Sequence, residues 1–281
     1  MSKVLAAVDN SAAARPVLAA AAAIAELLEA EVEGIHVRED GDRTARTAAE
    51  AGGVTLRAVR GPVIGALVRA AEQEDVAAIA VGARGTSVGR RPAGHVALEL
   101  IVSVRKPVLV VPPQAPAPLA LRQILVPLNG TRVTTAALAS TIELARGSDV
   151  DVIVLHVHDH VSVPLFGEQP QHELEAWARE FLARHAPHLE RVRLEVRTGI
   201  PAAEVLRVAR DAEADLVALG WAQDLSEGRA AVVREVLERS EVPVLLVPVA
   251  VRERHEGAVE RGRAPGATRR RAPSAPARAG G

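Results

Sequence analysis

The chain has 281 residues, 48% of them hydrophobic and 25% charged, with a sequence pI near 6.8, which is material for about two soluble domains of roughly 150 residues each. Zero cysteines exclude disulfides, thiolate metal sites and cysteine nucleophiles together, and 1% aromatic content argues against the stacking platforms used for single-stranded nucleic acid. The formal charge of −1 is unevenly placed: from Arg252 onward eight arginines face three glutamates, a net of +5, which leaves about −6 on the preceding residues.

The amino-terminal MSKVLAAVDNS has no long apolar core ahead of a cleavage site, and the longest apolar stretch, Pro16 to Ala25, is about half of the roughly 20 residues a transmembrane helix needs. Both features predict a cytoplasmic protein without a membrane span. Val4 to Val8 reads as a first strand and Val32 to Val37 as a second. Between them Val17, Leu18, Ala21, Ile24, Ala25 and Leu28 keep helical spacing, behind Ser11 as a candidate cap and Pro16 in the first turns. That is a βαβ unit. Val76 to Val81 and Val108 to Val111 are further short aliphatic runs without polar alternation, as expected of parallel strands covered on both faces by helices.

The pattern then recurs. KVLAAVDNS at Lys3 lies over QILVPLNGT at Gln123, and His36-Val37 over His156-Val157, both at an offset of 120. Gly61 and Gly82 match Gly199 and Gly220, and KPVLVVP ending at Pro112 matches VPVLLVP ending at Pro248. The second copy repeats the strands at Ile124 to Leu128, Val150 to Val157, Leu216 to Leu219 and Val244 to Val247. It is longer by 18 residues after its His-Val pair, where PQHELEAWAREFLARH supplies a helix that the first copy trims to RTARTAAEAGG. Arg191 to Arg197 alternates Val192, Leu194 and Val196 with charges, which marks an edge strand with one wet face. Domains are therefore expected at 1–113 and 121–250, joined by a proline-stiffened linker at 114–120. The Arg-, Pro-, Gly- and Ala-rich tail, 251–281, cannot bury enough apolar surface to offset its ordering entropy and is expected to be a solvated, disordered tail; contact of Arg269, Arg270 and Arg271 with nucleic acid or acidic membrane is the less favoured alternative.

In an open parallel sheet a ligand binds beyond the carboxyl ends of the strands, where strand order reverses. In the first copy that rule selects Asp9-Asn10-Ser11, His36-Val37 and the loop VGARGTSVGRRPAGHVA. The glycines of this loop, Gly82, Gly85 and Gly94 among them, allow close backbone approach, and Gly94-His95 opens a helix whose unpaired N–H groups favour an anion. No Walker loop and no G-x-G-x-x-G is present. Arg84, Arg90 and Arg91 either add charge to a phosphate or are ordinary loop arginines. In His156, His158 and His160, the first two share a strand face and could offer imidazoles to a metal, with Asp159 or His172 nearby, but His36 stands alone at the matching position, so His156 belongs to the shared strand end, and His158 and His160 read as loop caps.

Two tandem copies with VDNS after strand one, HV ending strand two, and G-x-x-G followed by a small-residue helix start before KPVLVVPP resemble a tandem universal stress protein, over nearly all of residues 1 to 250. The resemblance implies two five-stranded parallel-sheet α/β domains with helices on both faces, Rossmann-like and adenine-nucleotide alpha-hydrolase-like, each in strand order 3-2-1-4-5. It further implies an adenine nucleotide, ATP with or without magnesium, in the first domain. Asp9 would hold the ribose or adenine and the Val37 backbone would meet the adenine. Gly82, Gly85 and Gly94 would line the phosphates, with Arg84 and His95 beside them. Eight residues separate Gly85 from Gly94-His95, where the family's nucleotide binders have nine and then Gly-Ser or Gly-Thr. The second copy has Asn129 in place of Asp9 and Gln223 in place of Gly85, and counting from Gly220 to Gly228 makes its loop four residues shorter. Trp221, Gln223 and Asp224 are expected to fill or repel the phosphate space there, leaving a structural copy.

The wholly apolar PVLVVP and PVLLVP segments would aggregate as exposed edges, so they are expected to meet across the two halves as an intrachain pseudo-dimer. The functional expectation is a stress-response or regulatory protein, not an enzyme, that holds ATP without efficient turnover. The alternative is a scaffold of the same fold with no nucleotide and an unidentified protein partner. Pairing of whole chains into a homodimer stays open.

Overall fold

Aliphatic runs that lack polar alternation must be covered on both faces, and the computed structural model places them as the inner strands of one ten-stranded sheet. It describes residues 1–37, 43–83, 94–116, 120–128, 139, 148–158, 180, 183, 191–225 and 230–249. The first copy supplies β1 (Lys3–Ala7), α1 (Ala14–Leu27), β2 (Glu31–Val37), α2 (Arg43–Ala51), β3 (Thr55–Val59), α3 (Val63–Ala71), β4 (Val76–Gly82), α4 (His95–Ser103) and β5 (Val108–Val111). The second supplies β6 (Gln123–Pro127), β7 (Asp151–His158), β8 (Val192–Thr198), α5 (Pro201–Asp211), β9 (Leu216–Trp221), α6 (Ala231–Arg239) and β10 (Val244–Pro248). Residues Met1–Val251 form one compact unit; the expected tail from Arg252 lies outside the described residues, as do the inserted PQHELEAWAREFLARH stretch, apart from single positions, and residues 117–119 of the linker.

The strand order is β3-β2-β1-β4-β5-β10-β9-β6-β7-β8, so each half has the expected order 3-2-1-4-5. Every pairing is parallel except the one in the middle. There β5 and β10 run antiparallel, with Val110 opposite Val244, Leu109 opposite Leu245 and Val108 opposite Leu246. All six side chains are at most 1% exposed. Each such burial contributes roughly 1.5–3 kcal/mol relative to exposure, which makes the seam a committed junction between the halves. Both cores cross it. Leu109 and Leu245 join the cluster under α1 and α2, whereas Val108, Val110, Val244 and Leu246 join the one under α3, α4, α5 and α6.

The outer strands are β3 and β8. In β8, Val192 and Leu194 pack on the core while Arg193, Glu195 and Arg197 form a row of ion pairs, with Glu195 3.4 Å from Arg193 and 2.9 Å from Arg197. Charge on a terminal strand blocks pairing with another sheet. One local expectation is corrected. Ser11 is not the N-cap of α1, because Ala13 holds that position with no side-chain bond; the Ser11 hydroxyl instead accepts the Ala13 N–H at 3.2 Å in the turn leading to the helix.

Candidate functional site

The connections of the first half leave β1 and β4 toward opposite faces, since α1 packs in one core cluster and α4 in the other. That divergence makes the carboxyl ends of these neighbouring strands the place where a sheet of this topology receives a ligand. Ala7 is in register with Ile35 on one side and Val81 on the other. Two residues further along each chain segment, Asp9, Val37 and Ala83 reach the same level at the edge of the sheet.

Backbone and side-chain bonds hold this level. Val8 donates its N–H to the Ile35 carbonyl at 3.0 Å, and its own carbonyl faces Nδ1 of His36 at 2.9 Å. His36 is 4% exposed and, in the second half, His156 repeats the bond to the Leu128 carbonyl at 2.8 Å. The imidazole thus anchors the end of β1 to β2, a role that the repeat of the histidine itself could have disclosed. Asp9 follows, exposed, with Oδ1 accepting the Ser11 N–H at 2.9 Å. Asn10 Oδ1 accepts the Ala45 N–H at 3.1 Å, so the same loop also satisfies a donor in the first turn of α2.

On the other side Gly82 ends β4, and Ala83 donates to the Val111 carbonyl at 2.7 Å. The Ala83 carbonyl accepts the Gly94 N–H at 2.6 Å, which pins the start of α4 to the end of β4 across the intervening loop. Gly94 is the N-cap in extended conformation, with no side-chain cap bond, and His95 is exposed as the first helical residue. The N–H groups of this first turn and the positive end of the helix dipole suit an anion. Of the residues singled out from sequence, Asp9, Val37, Gly82, Gly94 and His95 are brought together at one edge. Arg84 and Gly85, with Arg90 and Arg91, lie outside the described residues.

The second half is built differently at the same place. Helix α6 starts from Ala230, the counterpart of Gly94, so the loop from Gly220 is two residues shorter than that from Gly82, not four as the match to Gly228 implied. Ala230 has φ 51°, a left-handed conformation that a methyl-bearing residue adopts at some cost, in contrast to φ −64° at Gly94. Trp221 is 3% exposed and packed in the core, paired with Pro248. Gln223 turns away toward the first half, where its Nε2 donates to the carbonyls of Val104 at 2.7 Å and Ile101 at 3.4 Å. His158 ends β7 with its ring edge-on to that of His156, centroids 4.6 Å apart, and the loop it was expected to cap, with His160, lies outside the described residues. Burial, then the neighbouring His156, lowers the His158 pKa. Among the described residues no group of three or more His, Asp or Glu could hold a metal, and no helix is long and apolar enough to cross a membrane.

A family model described as the universal stress protein family matches residues 38–112 and 120–248. Among solved structures, a universal stress protein from Archaeoglobus fulgidus aligns at 16% identity and TM-score 0.62, covering 88% of this chain and 98% of that one. A Pseudomonas aeruginosa protein of unknown function aligns at 14% identity and TM-score 0.64, over 88% of this chain and 92% of that one. At these identities the likeness is one of fold. No curated protein matches the chain.

Proposed function

The chain belongs to the universal stress protein family, and on that premise we propose that its first half binds ATP at the carboxyl ends of β1 and β4 and that the protein acts as a stress-response regulator by holding the nucleotide, not by turning it over. One observation carries the reading: the uncapped start of α4 is pinned by Gly94 N–H to Ala83 at the level where Asp9 and Val37 stand. A helix N-terminus suits phosphates, an exposed carboxylate accepts from ribose hydroxyls, and an apolar strand end accommodates a purine. In this assignment Asp9 takes the ribose or adenine, the Val37 backbone the adenine, and Gly82, Gly94 and His95 the phosphates. Arg84 and Gly85 belong to the same proposed set through their place in the loop. Magnesium, where it participates, is carried by the ATP phosphates.

Equilibrium binding of labelled ATP to the full chain tests this. The expected result is one nucleotide per chain, weakened by Asp9→Ala and by Gly82→Val, whose branched side chain obstructs close approach of phosphate to backbone. Two nucleotides per chain would place a working site in the second half as well. No binding at all would turn the reading to a scaffold of the same fold.

A further inference from the structure

The carboxyl end of α4 is finished by two side chains from different places. Arg105 N–H, which would continue the helical ladder to the Ile101 carbonyl, donates instead to Glu72 Oε1 at 2.6 Å. Ile101 O is thereby left without its helical partner, one of the orphan carbonyls that every helix end presents. Gln223, from the second half, supplies the replacement. Its amide nitrogen has two hydrogens, and both find acceptors at this end, Val104 O at 2.7 Å and Ile101 O at 3.4 Å.

Two further facts make this contact more than incidental. Gln223 has φ 57°, a left-handed conformation that costs a non-glycine residue energy and persists only where the surroundings impose it. The matching residue of the first half is Gly85, which would adopt that conformation freely. The arrangement is also one-sided, because Gly85 has no side chain with which to reciprocate. Helix α6, the counterpart of α4, ends at Ser240, whose hydroxyl bonds only within the following turn, donating to the Val242 carbonyl at 2.7 Å and facing the Val242 N–H at 3.3 Å. The second half has therefore exchanged a glycine for a strained residue that serves the helix of the first half.

We propose that Gln223 is a positioning residue: through its amide the second half caps the end of α4 and so holds the opposite, phosphate-facing end of the same nine-residue helix in place against β4. The phosphate part rests on the function proposed above; the cap does not.

The test uses the full chain with Gln223→Gly, which suits the left-handed backbone but lacks the donor, and Gln223→Lys, which keeps a donor of similar reach and adds a cation favourable at a helix carboxyl end. In native-state hydrogen exchange the Val104 amide, bonded to Leu100 O at 2.9 Å, should exchange about threefold to tenfold faster in Gln223→Gly, as expected for loss of one net hydrogen bond. The Leu28 amide at the end of α1, bonded to Ile24 O at 3.0 Å, should not change, and Gln223→Lys should restore protection at Val104. Unchanged exchange at Val104, or equal acceleration at Val104 and Leu28, overturns the cap. Gln223→Gly should also weaken ATP several-fold while leaving adenosine affinity unaltered, with Gln223→Lys restoring ATP. Faster exchange with unaltered ATP affinity overturns the positioning role. If the unmodified chain binds no ATP, the function proposed above fails and, with it, positioning, while the exchange result still decides the cap.

Discussion

His36 Nδ1 stands 2.9 Å from the carbonyl oxygen of Val8, and since a carbonyl only accepts, that nitrogen carries the proton. The bond joins two buried groups immediately before Asp9. Replacing His36 by Leu leaves the Val8 carbonyl without this donor, at a cost of about 1–3 kcal/mol. The urea midpoint should fall with an unchanged m-value, and ATP affinity should fall with it, because the turn bearing Asp9 loses its anchor. A midpoint equal to that of the parent chain would show the bond to be dispensable.

The antiparallel seam makes a second prediction. Leu109 is 0% exposed and faces Leu245, so Leu109→Asp would bury a carboxylate among aliphatic groups from both halves. An uncompensated buried charge costs about 3–5 kcal/mol, and the two halves should unfold together or separate. In the unmodified protein the Val110 and Leu246 amides should be among the slowest to exchange; rapid exchange there would contradict the continuous sheet.

His158 makes stability depend on pH. Burial, followed by the adjacent His156, lowers its folded-state pKa below the usual 6.5. The unfolded chain therefore binds the proton first as pH falls through about 6.5, and stability declines from there toward the lower folded value; above about 6.5 this residue has no effect. Thermal midpoints between pH 5 and 7.5 should show the decline, and His158→Gln should flatten it. A variant with the parent's pH profile would assign the dependence elsewhere.

Turnover is the fourth. Phosphoryl transfer needs a positioned metal, a group that orients the attacking atom, and charge that stabilises the transition state. In the proposed site Asp9 lies at the ribose end, and the loop from Gly82 to His95 contains no carboxylate. His95 is the one titratable base there, placed as the first residue of α4. Incubation with ATP and magnesium should release phosphate far below the roughly 10 per second of a typical enzyme. Sustained hydrolysis near that rate, abolished by His95→Ala, would make the protein an enzyme.

The apolar runs, the offset of 120 and the charged alternation at Arg191 to Arg197 were enough to predict parallel strands, two copies and a wet edge, because each follows from local periodicity. The meeting of β5 with β10 was also legible, as two wholly apolar strands can only be edges if they cover each other. For the proposed site, Asp9, Val37, Gly82, Gly94 and His95 could be nominated from sequence because the ends of parallel strands are where an α/β sheet presents groups. What sequence alone could not supply were contacts between residues far apart in the chain. That Trp221 points into the core, that Gly94 corresponds to Ala230, and that Gln223 reaches the Ile101 and Val104 carbonyls depend on how two helices and a loop pack across the seam. Strand identity is set by neighbours in sequence, through hydrophobic pattern and turn chemistry. The direction of a loop side chain is set by which unsatisfied polar group lies within its reach, and only the folded arrangement of both halves determines that.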